Sequence, residues 1–104
     1  MSKYGNIKTY TSDGIKHDSI KEANRWCELK LLQRAGKITE LERQVPFELI
    51  PKQDGERACT YVADFVYVEN GKKIVEDVKG KRTEVYKIKK KLMLWRHGIK
   101  IKET

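Results

Sequence analysis

The pair Asn70-Gly71 lies between two runs of β-favouring residues, Arg57 to Val68 and Lys73 to Lys79, and constrains the fold more than any other feature of the chain. Both residues tolerate positive φ, which a two-residue hairpin turn requires. Such a turn makes Glu69 and Lys72 the closing pair. It then sets Val68 opposite Lys73, Val66 opposite Val75 and Asp64 opposite Asp77. Because side chains alternate along a strand, Asp64, Asp77 and Lys79 share one sheet face, otherwise lined by Val62, Val66 and Val75. A three-residue loop would instead bring Asp64 opposite Val78.

The remaining segments supply the layers around that hairpin. Residues 8–17 read as a first, short hairpin turning at Ser12-Asp13-Gly14. A helix opening at Asp18 or Ser19 and ending before Gly36 follows. Its apolar positions are Ile20, Ala23, Cys27, Leu31 and Ala35, widened by Trp26, Leu29 and Leu32, and they predict one buried helical face. Ile38 to Ile50 is extended, with Pro46 and Pro51 confining it to an edge or a strand end. Thr83 caps a second predicted helix that runs to about His97 before Gly98. Val85, Ile88, Leu92 and Trp95 form its expected buried stripe, and Ile99 with Ile101 suits a last short strand. This order predicts an α/β fold, a twisted mixed sheet flanked by helices, in one domain over residues 1–104.

Two side-chain types carry little information. Cys27 and Cys59 lack zinc-motif spacing and read as buried reduced thiols. His17 and His97 have no ligand-type residue at metal-binding spacing. The opening residues lack the apolar run of a signal peptide, and Tyr61 to Val68 is too short to span a bilayer. The expectation is a soluble, cytoplasmic protein.

Charge is concentrated at one end of the chain. Residues 1–71 carry 11 basic and 11 acidic side chains, whereas residues 72–104 carry 12 basic and 4 acidic, which gives the whole net charge of +8. Such asymmetry suits an anionic polymer, because neutralising phosphates releases condensed counterions. A solvated lysine-rich helix face is the competing explanation.

The Asp64–Asp77 pair is where chemistry is expected. Directly opposed residues in an antiparallel pair have Cβ atoms about 4.5–5.5 Å apart. Two carboxylates so placed repel, and partial burial adds to the cost. Either one stays protonated or a divalent cation bridges them. Hard oxygen ligands, one or two carboxylates and remaining positions left to water and phosphate describe a Mg²⁺ site. Lys79 would reach the same face, either orienting water and stabilising phosphoryl charge or simply pairing with the two acids.

These residues also carry a resemblance. Asp64, followed after twelve residues by Asp77-Val78-Lys79, resembles the bipartite motif of the PD-(D/E)XK nuclease superfamily. Asp18-Ser19-Ile20-Lys21-Glu22-Ala23, Phe47-Glu48-Leu49-Ile50-Pro51, Tyr61-Val62-Ala63-Asp64-Phe65 and Val75-Glu76-Asp77-Val78-Lys79-Gly80 resemble a family of short phage-encoded proteins of unknown function. That family is similar to Holliday-junction resolvases of the archaeal and phage endonuclease I types. The resemblance runs from about Tyr10 to Ile101. It implies a restriction-endonuclease-like core in which Asp64 and Asp77 bind metal and Lys79 is catalytic. Glu22 matches a third acid that such resolvases supply from their first helix, although Ser19-Ile20-Lys21-Glu22 is equally a capping box. Ala63 stands where the superfamily name has proline. Glu76 adjoins Asp77, but alternation sends it to the opposite face with Ile74 and Val78. Gln44 is a further residue within possible reach.

The resulting expectation is a Mg²⁺-dependent, structure-selective DNA endonuclease, with Mn²⁺ substituting, most simply a homodimeric Holliday-junction resolvase acting in DNA recombination in a phage-infected or prophage-bearing host cytoplasm. Lys81, Arg82, Lys87, Lys90 and Lys91 would line the DNA backbone beside the positive end of the second helix. The alternatives are a nicking, flap or replication-associated nuclease, and, from another class, a non-catalytic DNA-binding accessory protein.

Overall fold

The computed structural model describes residues 8–78 and 82–104. They form an α/β fold: a mixed four-stranded sheet with one helix on each face, plus a small two-stranded hairpin. Strands β1 (Thr9–Tyr10) and β2 (Lys16–His17) make that hairpin, turning through residues 12–14 as the sequence predicts. Its turn is locked locally, since Asp13 accepts from the Ile15 amide at 3.1 Å. It is also locked at a distance, since the same carboxylate accepts from the Trp26 indole and the Lys30 ammonium, each at 2.7 Å. These donors hold the Asp13 carboxyl well below the usual carboxylate range.

Helix α1 (Ile20–Arg34) begins at Ser19, whose hydroxyl accepts from the Glu22 amide at 3.1 Å, satisfying one of the unpaired donors of the first turn. Strand β3 (Thr39–Ile50) runs along one edge of the sheet, which is where Pro46, lacking an N–H, is tolerated. Strands β4 (Cys59–Glu69) and β5 (Lys72–Asp77) form the hairpin about Asn70-Gly71. Asn70 and Gly71 both have positive φ, at 52° and 75°. The register is the one the two-residue turn dictates, running from Glu69↔Lys72 through Val66↔Val75 to Phe65↔Glu76. Helix α2 (Glu84–His97) is capped by Thr83 and stopped by Gly98 in the left-handed conformation. It carries the chain over the sheet to β6 (Lys102–Glu103), which pairs parallel to β5. The parallel pairing that makes the sheet mixed therefore occurs across α2.

Each helix covers its own core. Beneath α1, Trp26 and Leu29 pack on Ile38, Phe65 and Tyr67, with the Trp26 and Phe65 rings stacked at 5.8 Å. Beneath α2, Tyr86 and Met93 pack on Phe47, Leu49, Tyr61, Ala63, Val66, Val75 and Ile101.

In both helices the predicted buried stripe is displaced. In α1, the buried positions are Glu22, Ala23, Trp26 and Leu29, while Ile20, Cys27 and Leu31 face outward. In α2, Tyr86 and Met93 are buried, while Val85, Ile88 and Trp95 are exposed and Leu92 is only half-buried. Each helix thus has two apolar stripes, and hydrophobic periodicity alone does not say which one meets the sheet. Cys27, expected in the core, is exposed for this reason, and Cys59 is half-buried. Among the described residues, no helix is long and apolar enough to cross a membrane.

Candidate functional site

The middle of the sheet is irregular at one transverse row. Tyr61 and Ala63 of β4 face α2, yet Phe65 and Tyr67, of the same parity, face α1. Strict alternation would keep all four on one side, so β4 reverses its faces at Asp64. Neighbouring β3 does the same: Leu41 lies on the α1 side and Val45, Phe47 and Leu49 on the α2 side. Gln44, between them, has φ 54°, in a region that a glutamine enters only at a cost. The flanking pairs Arg43↔Phe65 and Val45↔Ala63 set Gln44 across from Asp64.

At this row the hairpin forks. The β4–β5 ladder ends at Phe65↔Glu76, one step before Asp64 and Asp77 would pair. Asp64 Oδ2 instead accepts from the Val78 amide at 2.9 Å, so a carboxylate takes the place of a strand carbonyl. The expected backbone opposition is thereby replaced by a side-chain one, and Asp64 and Asp77 approach to hydrogen-bonding range. Val66 and Val75 are buried on the α2 side as expected. Val62, expected on the same face, is 48% exposed because of the reversal.

The electrostatics of the pair are strained. Asp77 is buried. Burial, the hydrogen bond and charge of Asp77, and the charge of Glu22 all push the Asp64 carboxyl well above the usual carboxylate range, and the Val78 amide offsets this only in part. On the α2 side, the charge of Asp77 also acts on Tyr61 and Tyr86, adding to the burial that raises both phenols. Tyr61 and Tyr86 lie 6.5 Å apart by ring centroid and wall that side of the pair. Nothing in the sequence marks them beyond their β-strand and helix settings, since their proximity depends on how α2 crosses the sheet.

Glu22 comes to the pair from α1. Its backbone amide takes part in the Ser19 cap, but its buried carboxylate turns toward the sheet. It accepts from Gln44 Nε2 at 3.4 Å and lies 3.7 Å from His17 Nδ1. The reciprocal half of the capping box is thus replaced by contacts across the fold. His17, to which the sequence assigned no role, is buried beside Glu22, with Nε2 at 3.2 Å from the Thr11 hydroxyl. Its only sequence signal was that β2 ends two residues before a helix cap.

Glu76 belongs elsewhere. It points to the α1 side and is fully buried, accepting from Arg25 at 2.6 and 2.9 Å, from the Tyr67 hydroxyl at 2.7 Å and from the Thr104 hydroxyl at 3.2 Å. These donors outweigh burial and lower its pKa. A carboxylate so fully satisfied is a structural tie between α1, β4, β5 and the end of β6. Asp77 is therefore the one of the two adjacent acids that meets Asp64.

Of the basic residues expected beside the site, Arg82 pairs with Glu103 at 3.0 Å, Lys90 with the same carboxylate at 3.4 Å, and Lys87 with Glu84 at 3.2 Å. Lys91 is exposed on α2. Lys79 and Lys81 lie outside the described residues. Among the described residues, no three His, Cys, Asp or Glu side chains are drawn together as a ready metal-ligand set; the contacting unit is the Asp64–Asp77 pair, with Glu22 within electrostatic reach.

A family model described as "Protein of unknown function (DUF1064)" matches residues 1–102. The chain belongs to the DUF1064 family. No curated protein and no solved structure matches it significantly. The match spans every element from the first hairpin to the start of β6, the forked row included.

Proposed function

We propose that this DUF1064 protein is a metal-dependent nuclease with a PD-(D/E)XK-type core, in which Asp64 and Asp77 bind a divalent cation. The observation that carries the reading is the contact of two substantially buried carboxylates at a fork in the sheet. Like charges in that position destabilise a fold, and here an aspartate even substitutes for a strand carbonyl. The donor set fits Mg²⁺, or Mn²⁺ in its place: hard oxygens, two carboxylates, and Glu22 close enough to join through water. A bound cation would polarise a phosphodiester and lower the pKa of attacking water.

The chain's own groups have distinct tasks in this scheme. Asp64 and Asp77 hold the cation and must be ionised to do so. Glu22, oriented by Gln44 and His17, positions water at the edge of the site. Lys79, two residues after Asp77 on the same segment, stabilises charge developing on the phosphoryl oxygens. Lys81, Arg82, Lys87, Lys90 and Lys91 follow in sequence and supply phosphate contacts, with the Thr83-capped start of α2 adding its positive end.

The substrate proposed is DNA of branched structure, with a four-way junction first and a homodimer making two symmetric cuts. A nicking or flap nuclease shares the same site, and a non-catalytic DNA-binding protein is the alternative outside the enzyme class. One panel separates them: a four-way junction, a flap, a linear duplex and a single strand, each incubated with Mg²⁺ and wild-type or Asp77→Asn protein. The expected outcome is preferential cutting of the junction, reduced at least about 100-fold by Asp77→Asn. Equal cutting of linear duplex would count against a resolvase. Binding by both proteins with no cutting in Mg²⁺, or in Mn²⁺ put in its place, would remove the enzyme reading.

A further inference from the structure

Helix α2 turns an apolar ridge to solvent. Val85, Ile88 and Trp95 are 63%, 57% and 78% exposed, with half-buried Leu92 between them. These positions are three or four residues apart and therefore stack along one side of the helix, over about 15 Å. Lys91 neighbours both Ile88 and Trp95 by the same spacing, and Lys89 neighbours Val85 and Leu92. The helix holds five basic residues, Lys87, Lys89, Lys90, Lys91 and Arg96, against one acid, Glu84. Beside the ridge, a groove of about 400 Å³ runs between α2 and the C-terminal segment, lined by Ile88 and Leu94 and by more basic side chains, Lys87, Lys91 and Lys100 among them, than acids, Glu84 and Glu103.

Charge narrows what such a surface can take. Two copies packed ridge against ridge would oppose ten basic residues with two acids, so a second copy of the chain is disfavoured. An anionic partner with flat apolar faces is complementary on both counts. Unpaired nucleotides have this chemistry, since each carries a phosphate and a base whose π-face stacks on an exposed aromatic ring irrespective of sequence. The ridge also belongs to the helix whose first turn reaches the carboxylate pair, because Tyr86 feels the charge of Asp77.

We infer that the outer ridge of α2 binds a single-stranded segment of nucleic acid, with a base stacked on the Trp95 indole and its phosphates held by Lys91 and the neighbouring basic side chains. This deepens the nuclease reading and rests on its nucleic-acid substrate, though not on cleavage. Among the branched substrates it favours one that offers unpaired bases near the cut, which a flap does and a fully paired four-way junction does not.

Intrinsic fluorescence tests this directly. The chain has two tryptophans, and Trp26 is buried and bonded to Asp13, so an added ligand that contacts the surface reports through Trp95. Full-length Asp77→Asn protein would be titrated with a short oligothymidylate, a matched duplex, and acidic phospholipid vesicles. The expected result is quenching by oligothymidylate. In the same background, with binding read by the fluorescence anisotropy of dye-labelled oligothymidylate, Trp95→Ala should weaken binding about 5- to 100-fold and Trp95→Phe far less. Melting temperatures of both variants should match the parent, because Trp95 supports no core contact. Oligothymidylate binding by Trp95→Ala equal to the parent would overturn the inference. So would a Trp95 response to vesicles, or to protein concentration alone, without a response to oligothymidylate. Absence of cutting by wild-type protein, with Trp95-dependent binding intact, would sink the nuclease reading alone.

Discussion

At the scale of single residues, the chain accepts two costs at one row of its sheet. Asp64 and Asp77 are two carboxylates in contact, and Gln44 is held at φ 54° beside them. The first cost has a pH signature. The folded-state pKa of Asp64 lies above its unfolded value, so the folded protein binds more protons than the unfolded chain in that interval. Stability of the metal-free protein should therefore fall as pH rises from about 4 toward the raised value. Asp77→Asn should flatten that slope and, above the interval, stabilise the metal-free protein by about 1 kcal/mol. Thermal melts of both proteins across pH in chelator check it, and a steeper slope in the variant would refute it. The second cost predicts that Gln44→Gly is neutral or stabilising by up to about 1 kcal/mol. Gln44→Val, β-branched at positive φ, should lose about 1–2 kcal/mol. Urea unfolding of the two variants distinguishes strain from ordinary packing, for which Gly would be the worse replacement.

Which of these residues were legible in the sequence follows from how local their causes are. Asp64 and Asp77 could be paired from a two-residue turn and strand alternation. The fork could not, because it depends on β3 turning at Gln44 and on a side chain intercepting the Val78 amide. Glu22 had a local explanation in the Ser19 cap that accounted for its backbone and not its carboxylate. His17 was marked only by its place just before the Ser19 cap, and neither Tyr61 nor Tyr86 was assigned to the site, since each reaches it only through tertiary packing. The assignment of Glu76 to the opposite face was readable, whereas its four-donor cluster with Arg25, Tyr67 and Thr104 was not.

At the scale of elements, boundaries followed local chemistry closely and buried faces did not. Ser19, Thr83 and Gly98 end their helices as capping rules require, and Asn70-Gly71 turns its hairpin in the predicted register. The helix faces failed because α1 and α2 each carry apolar residues over more than half of their circumference. In α1 the decisive contacts are Trp26 on Phe65 and the carboxylate of Glu22 turned inward, and both select the stripe that contains Leu29. The two stripes should differ sharply in energy. Leu29→Ala should cost about 2–5 kcal/mol, while Leu31→Ala, 63% exposed, should stay within about 0.5 kcal/mol. Denaturant titrations that found the two equal would mean that α1 packs with the other face inward.

At the scale of the whole molecule, a sheet carries acids at its central fork, and a basic helix crosses beside them. Residues 72–104 contribute the entire net charge, and that segment forms β5, α2 and β6. The division of labour proposed for this DUF1064 protein follows from that layout, with metal at the fork, phosphates along α2 and unpaired bases on its outer ridge. The class of fold was readable from element order alone, since a helix between two strands in a small sheet favours a crossover. The site required the fork, and the function proposed for it requires that the fork binds a cation. Titration of the protein with Mn²⁺, followed by loss of the free-ion paramagnetic resonance signal, measures this most directly. Wild-type protein should bind the ion, and Asp64→Asn and Asp77→Asn should each weaken binding at least about tenfold while remaining folded. Undiminished Mn²⁺ binding by both variants, or none by the wild type, would contradict the account.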